Sequence, residues 1–536
     1  GAAGAGAALA VEFFHEADPN DLAAKYVWQE GFPPNKNGRG PRLLKSHGWL
    51  EGSLQDTTSL EAAAAAFRPG DPDTWPRVVP RQDILFVDRS GSGGPPRPLA
   101  SVRVPIERLR PASAVGGGGR ERQPVALSLL LVRWGGRHRV GETYDAQEDE
   151  SDGGWGKYGS PPCDWYMSAF VREGLLAHPA IGAAAGRNFE VVSLFIGTSP
   201  EMSAVAKLGP TIAALLPGLK KASFWMLWPA EWEDFGTTDY AGYVEKEAFF
   251  AAMRACEAAG VRSTFPHPAA QYELITSKSW MVTLSRRPEA ALPAAVFVDR
   301  AAVVADPPGA ARAALAELAA VRSAAPFPPG GDGSRPAPSV VNKDGVRKGV
   351  VKIGWSWEAR FVLHFSGEKQ LAARLQDMLV CDGCLATRCM VQEWVDFDFE
   401  IRLFFLPPAD WAPGGAALRP VRFEYNGWGK AEEGRPGSFT KLSRQACLKA
   451  WQQDEAALEA AQERAVELSQ SLLAFLHAAH PAQPVAMVRL DFMLLRLGPG
   501  QARVIFGEFC EMGACCISWE EGPPTIWRAA LDYALR

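Results

Sequence analysis

The sequence has little cysteine: nine residues in 536, an odd number. So few thiols do not build a disulfide framework, and the expected setting is a reducing compartment, the cytoplasm or an organelle stroma. Long apolar runs are missing too; Ala-rich stretches such as residues 61–67 are far shorter than the roughly 18 residues a membrane helix needs. Positive charge is not in excess, since Lys+Arg 56 against Asp+Glu 61 gives a formal net charge of −5. A general electrostatic binder of nucleic acid is basic, so neither nucleic acid nor membrane is an expected partner. The eight histidines are scattered, and only His477 and His480 lie close together, at a helix end. The opening residues, GAAGAGAALA, hold no Lys or Arg before their small-residue run and do not read as a secretory signal. There is no Gly-Lys-Ser/Thr phosphate loop and no Gly-x-Ser-x-Gly elbow, which removes two common enzyme signatures.

What is present is ordinary globular composition, 47% hydrophobic and 22% charged, in a length that suits about three domains or one large enzyme. Residues 1–125 are rich in turn formers, with short strands at 83–88 and 100–105. Residues 41–111, ending in Leu-Arg-Pro, are faintly similar to an SH3- or Tudor-type barrel, but residues 1–125 read first as an N-terminal extension packed on the main body. Residues 126–265 alternate strand and helix: strands at 125–134, 189–196 and 222–228, helices at 202–216 (broken at Gly209-Pro210) and 243–259. That rhythm predicts an α/β domain with a doubly wound parallel layer. The acids of residues 148–154 read as a solvated loop. Residues 310–338 read as a helix followed by a surface connection.

The informative charges lie in residues 266–536, inside apolar strands. Lys352 ends the run Val350-Val-Lys-Ile353 and precedes a Gly/Ser turn, which suits phosphate binding; a snorkelling edge lysine is the alternative. Glu400 and Arg402 share one face of a strand whose other face is Phe399, Ile401 and Leu403, so they form an ion pair or a functional pair. Arg489 and Asp491 alternate with Val488, Leu490 and Phe492, and Glu508 ends the next strand after a turn at 497–501. Two adjacent strands would set Asp491 beside Glu508, and buried like charges call for a cation between them. Mg²⁺ takes one or two carboxylates plus nucleotide phosphates. Cys381-Asp-Gly-Cys384 with Cys389 lacks a second ligand pair at zinc spacing and reads as a turn. Arg422, Tyr425, Asn426 and Lys430 are candidates to face a substrate, and His267 is a structural loop residue or a substrate contact.

The order of these elements over residues 185–536 resembles the ATP-grasp superfamily of carboxylate–amine ligases. A proline-flanked loop, a helix and a lysine come first (residues 265–278), then the Leu-Pro strand at 291–298, Lys352, residues 390–405, and the Arg489/Asp491/Glu508 pair of strands. The resemblance implies an α/β fold, α+β in its carboxyl-terminal part, with an α/β domain ahead of an ATP-grasp domain at 266–536. It implies ATP and Mg²⁺ as cofactors, with small-molecule carboxylate and amine substrates. Lys278 and Lys352 would contact phosphates beneath a closing loop that includes Ser356. Gln392, Glu393 and Val395 would form the hinge that holds the base, and Glu400 would take the ribose. Asp491 and Glu508 would carry Mg²⁺, while Arg489 and Arg402 would form the catalytic arginines. The family's final Glu-x-Asn reads here Glu508-Phe509-Cys510. Cysteine is a poor ligand for Mg²⁺, so Glu511 is the expected substitute oxygen. Trp355 and Trp357 stand where small residues are typical of the phosphate loop. These tryptophans, and the terminal Ser518-Trp-Glu-Glu521, are partly similar to the cell-division-cycle ATP-grasp assembly factors. That similarity implies, as the alternative, a nucleotide-holding binding factor with a protein partner at its N-terminal region.

Overall fold

The computed structural model describes residues 9–16, 26–29, 42–55, 59–82, 84–88, 97–104, 106–111, 125–134, 188–196, 198–232, 243–325, 348–355, 361–406, 416–428, 439–481, 487–510, 519 and 521–536. Strands Arg262–Phe265, Lys220–Trp225, Val125–Trp134 and Asn188–Ile196 lie side by side in that order, all parallel. Leu129, Leu130, Leu131 and Val132 are all fully buried, odd and even positions alike, because helices cover both faces. Helices Ser199–Leu215 and Lys246–Ala258 take one face through Met202, Val205, Phe249 and Met253. Helix Gly522–Leu535 takes the other through Ile526, Trp527 and Leu531.

The first of these helices runs unbroken through Gly209-Pro210, where a break was expected. A proline in a helix interior costs about 3 kcal/mol. Here the neighbouring helix compensates: a Cβ on Gly209 would lie 2.7 Å from the Ala255 carbonyl oxygen, so only glycine lets the two backbones meet so closely. Thr198 fixes the start by accepting from the Glu201 amide.

Strand Arg42–Leu54 pairs antiparallel with Asn188–Ile196 and with Ala10–Glu16, and the N-terminal strands thereby join the same eleven-stranded sheet. A separate barrel in residues 41–111 is not confirmed. These strands keep a small core of their own around Val11, Phe13, Leu50, Val78 and Phe86.

Two antiparallel sheets follow. The small one has the strand order Ala295–Asp299, Arg388–Glu393, Lys348–Lys352, Val362–Ser366. Helices Pro307–Ala324 and Glu368–Leu379 bury its Val296, Val351 and Val391. By alternation Lys352, Met390 and Gln392 project from its opposite face. The large sheet has the order Phe439–Leu442, Arg422–Trp428, Phe399–Phe405, Val488–Gly498, Gln501–Cys510. Helix Glu455–Ala479 packs on one of its faces against Phe399, Ile401, Leu403, Leu490 and Phe492. Its other face carries the charges. No described helix is long and apolar enough to cross a membrane.

Candidate functional site

Strand register sets the charged face of the large sheet row by row. One row across four strands is Glu424, Arg402, Asp491 and Glu508; the next is Arg422, Phe404, Arg489 and Cys510. Asp491 is therefore the cross-strand partner of Glu508. The residues on either side of Asp491, Leu490 and Phe492, point the other way into the core.

Asp491 is held from two sides. Arg489 donates to it in bidentate fashion, Nε to Oδ1 at 2.8 Å and Nη2 to Oδ2 at 2.9 Å. Arg402 Nε approaches Oδ2 at 3.5 Å and Arg402 Nη2 lies 3.8 Å from Glu400 Oε2. The Asn426 amide oxygen turns to Arg402 Nε at 3.1 Å and its nitrogen to the Tyr425 carbonyl at 3.2 Å. Arg422 donates to Glu424 at 3.0 Å. All of these groups except Glu400 and Arg422 are buried, so the network fixes their geometry before any ligand arrives. Glu508 differs: its side chain keeps 37% of its exposure and pairs with the Lys278 ammonium at 3.4 Å.

Lys278 and Lys352 reach this face from two other elements. Lys278 ends helix Ala269–Ser277 in the left-handed conformation (φ 57°), which lysine rarely adopts. Lys352 is the last residue of its strand, and the chain then turns through Gly354 onto the same helix end. The Trp355 amide donates to the Thr276 carbonyl at 2.9 Å. A Cβ on Gly354 would sit 2.4 Å from the Ser277 carbonyl oxygen, so the turn closes only on glycine. That junction ties the two lysines together. Burial pushes the Lys352 ammonium down to about 8; Lys278 adds to the drop and Glu508 opposes it. The Trp355 ring lies over this junction toward the α/β layer, with the Lys246 ammonium 4.1 Å from its centroid and Glu231 paired to Lys246 at 2.9 Å.

The face thus holds five basic groups (Arg402, Arg422, Arg489, Lys278, Lys352) and four carboxylates (Glu400, Glu424, Asp491, Glu508). It is suited to an anion. The donor set also fits Mg²⁺: two hard carboxylates stand opposite each other, and each Asp491 oxygen keeps a lone pair beyond its Arg489 bond. Among the described residues no group of three or more His, Cys, Asp or Glu side chains is placed to hold a metal, so water and phosphate oxygens would complete the shell.

Residues 392–398, which include the segment expected as the hinge, lead from the small sheet to the large one. The Glu393 side chain is fully buried and paired with Arg322 at 2.8 Å, and it also accepts from the Ala294 amide at 3.1 Å. Its own amide and that of Trp394 donate to the Ala294 and Lys348 carbonyls. Val395 packs with Ile505 and Met493. The Gln392 side-chain nitrogen is buried without a partner among the described residues.

Some readings of the sequence need correction. Tyr425 turns away from the charged face: its ring packs in the core against Phe399 and its hydroxyl accepts from Gln462. Strand alternation leaves Arg422, Glu424 and Asn426 on the site side. Cys381 to Cys384 is a turn, with Gly383 at φ 76° and the Cys384 amide on the Cys381 carbonyl at 3.4 Å. His267 is fully buried, held near pH 3 by burial, with neither ring nitrogen partnered among the described residues. Ser356, Glu511, Trp357 and Lys430 lie outside the described residues. Arg322, Glu424 and Lys246 were not foreseen; the buried acid Glu393 in an apolar strand was the one signal that a basic partner had to exist.

No protein-family model matches the sequence, and no curated protein matches it. Among solved structures the chain is similar to D-cycloserine synthetase DcsG, at 15% identity over 76% of this chain and 100% of that one, with a TM-score of 0.40. It is similar to D-alanyl-alanine synthetase A from Vibrio cholerae O1 biovar eltor strain N16961, at 10% identity over 77% and 99%, with a TM-score of 0.41. It is also similar to the ADP complex of purK, an N5-carboxyaminoimidazole ribonucleotide synthetase, at 8% identity over 73% and 71%, with a TM-score of 0.35. In the chain itself, two antiparallel sheets meet at a pair of lysines, Lys278 and Lys352, and a pair of carboxylates, Asp491 and Glu508.

Proposed function

We propose that the chain is an ATP-grasp ligase that uses Mg-ATP to activate a small-molecule carboxylate for attack by an amine. The observation that carries this reading is the meeting of Lys278 and Lys352 with Glu508, directly beside Asp491, at the mouth between the two sheets. Two cations and two carboxylates at one point suit a triphosphate with its metal and little else of comparable size.

In this reading Lys278 and Lys352 hold the phosphates, and the Gly354 turn keeps their ammonium groups at one place. Asp491 and Glu508 hold Mg²⁺, which when bound supplies charge neutralisation on the phosphates. Arg489 and Arg402, already oriented by Asp491, stabilise charge on the transferring phosphoryl group as the carboxylate oxygen attacks in line. Glu400, two residues along the strand, takes the ribose hydroxyls. Gln392 and Val395 bound the base, and Glu393 acts through Arg322 to position them. ADP leaves as the acyl phosphate forms; the amine then attacks the acyl carbon and inorganic phosphate departs.

Trapping with hydroxylamine tests the reading. The protein is incubated with Mg-ATP and pooled carboxylic and amino acids. The expected result is ADP release that depends on a carboxylate, together with formation of its hydroxamate. ADP release without a hydroxamate from any pool, or binding of ATP without carboxylate-dependent turnover, would overturn it.

A further inference from the structure

Arg503 has no place in the site as described so far, and its surroundings are unusual. It lies on strand Gln501–Cys510, opposite Leu495. Only 7% of it is exposed, yet Nε and Nη1 are buried with no hydrogen-bond partner among the described residues. Among the described residues no acid pairs with it, and burial lowers its affinity for a proton. A guanidinium cannot shed its proton to escape such a cost, so an unpaired buried arginine is destabilising in the free protein.

Alternation tells where it points. Val504 and Phe506 face the core under helix Glu455–Ala479, so Arg503 and Ile505 face the other way. That is the side on which Ile505 packs with Val395 and Met493. Gly507, next on the strand, has no side chain to fill the space beside Met493; a Cβ there would come within 3.8 Å of the Met493 methyl. Val395, Met493 and Ile505 form an apolar group between the hinge and the large sheet, suited to a flat ring. Arg503 lies two residues along the strand from Ile505 on the same face, and the Gln392 amide nitrogen, at the end of the neighbouring sheet's strand, is buried with no partner among the described residues. Five residues separate Arg503 from Glu508, roughly 16 Å of strand. A ribose and three phosphates bridge that span.

From this geometry we infer that Arg503 is a recognition residue for the nucleotide base, donating to acceptor atoms on the ring held by Val395, Met493 and Ile505. The inference rests on the nucleotide reading above and adds what that reading lacks, a charged donor at the base end of the site. In the free protein Nε and Nη1 have no partner among the described residues, and the bound base would supply their acceptors.

The test separates base from phosphate. Binding of Mg-ATP and of Mg-tripolyphosphate is measured by titration calorimetry on the wild type, Arg503→Met and Arg503→Lys. Hydrogen bonds from a charged donor are worth enough to give at least about tenfold in affinity. The expected result is at least about a tenfold loss for Mg-ATP in Arg503→Met, no change for Mg-tripolyphosphate, and partial recovery in Arg503→Lys. The thermal midpoint of free Arg503→Met should equal or exceed that of the wild type, since an unpaired buried charge has been removed. Unchanged Mg-ATP affinity would overturn the inference. So would an equal loss for both ligands, or a clear fall in the midpoint of the free variant, which would reveal a structural partner. Absence of Mg-ATP binding in the wild type itself would instead overturn the nucleotide reading.

Discussion

Replacing Lys352 by methionine is expected to make the free protein more stable and its hold on nucleotide weaker. The ammonium is driven from its usual 10.5 to about 8, chiefly by burial and next by Lys278. That drop corresponds to roughly 3 kcal/mol of cost for keeping Lys352 charged in the folded state. The sign follows from the direction. Below about pH 8 the folded protein carries the full cost; between about 8 and 10.5 the folded form loses its proton while the unfolded form retains it, and the cost is relieved. Wild-type stability relative to Lys352→Met should therefore rise with pH across that window and be flat below it. Urea unfolding at pH 7, 8, 9 and 10 on both proteins gives the difference directly. At pH 7 the variant should be ahead by roughly 1 to 3 kcal/mol, given that methionine fills most of the same volume. Saturating Mg-ATP should reverse the order, because ligand at a hundred times its dissociation constant adds about 2.7 kcal/mol to the protein that binds it. A variant less stable than the wild type at pH 7, or a difference without pH dependence, would refute the reasoning.

Three further outcomes follow from the same geometry. Gly354→Ala sets a methyl 2.4 Å from the Ser277 carbonyl and should lower the urea midpoint by the equivalent of about 1 to 3 kcal/mol, with weaker Mg-ATP binding by calorimetry. Asp491→Asn leaves Arg489 and Arg402 without their shared carboxylate. It should cost about 3 to 5 kcal/mol in urea unfolding, and a fall under 1 kcal/mol would contradict the network described. Arg322→Ala strands the fully buried Glu393 carboxylate, whose pKa burial already raises. The loss should be smaller at pH 5 than at pH 8, because the unpaired acid can then take up a proton; unfolding curves at the two pH values decide it.

The sequence carried the strands and their faces well, for a physical reason. A charge inside an apolar strand is placed by period two, so Arg489 and Asp491 against Val488, Leu490 and Phe492 already define a core face and a site face. The short turn before Gln501 then sets the register that brings Glu508 opposite Asp491. The same rule applied to strand Arg422–Trp428 separates Tyr425 from Arg422 and Asn426; grouping them by proximity in sequence misplaced the tyrosine. The continuous helix through Pro210 was hidden because Ala255, which holds it, lies 45 residues away in the chain. Arg322 and Arg503 were hidden likewise. One is explained by Glu393 and the other by its burial with no acid beside it among the described residues, and both are facts of tertiary packing. The sequence favoured an extension packed on the main body over a separate barrel, but local turn signals are silent about how it joins, through the pairing of Arg42–Leu54 with Asn188–Ile196.

The most direct test of the proposed nucleotide site uses Glu508→Gln. Glu508 is the exposed member of the carboxylate pair, so its amide should leave the fold intact. Calorimetric titration with ATP is run on both proteins with Mg²⁺ present and with Mg²⁺ chelated. The account predicts Mg²⁺-dependent binding to the wild type, and in Glu508→Gln a loss of most of that dependence at unchanged thermal midpoint. ATP binding that is the same in both proteins, with or without Mg²⁺, would contradict it, as would no binding to the wild type at all.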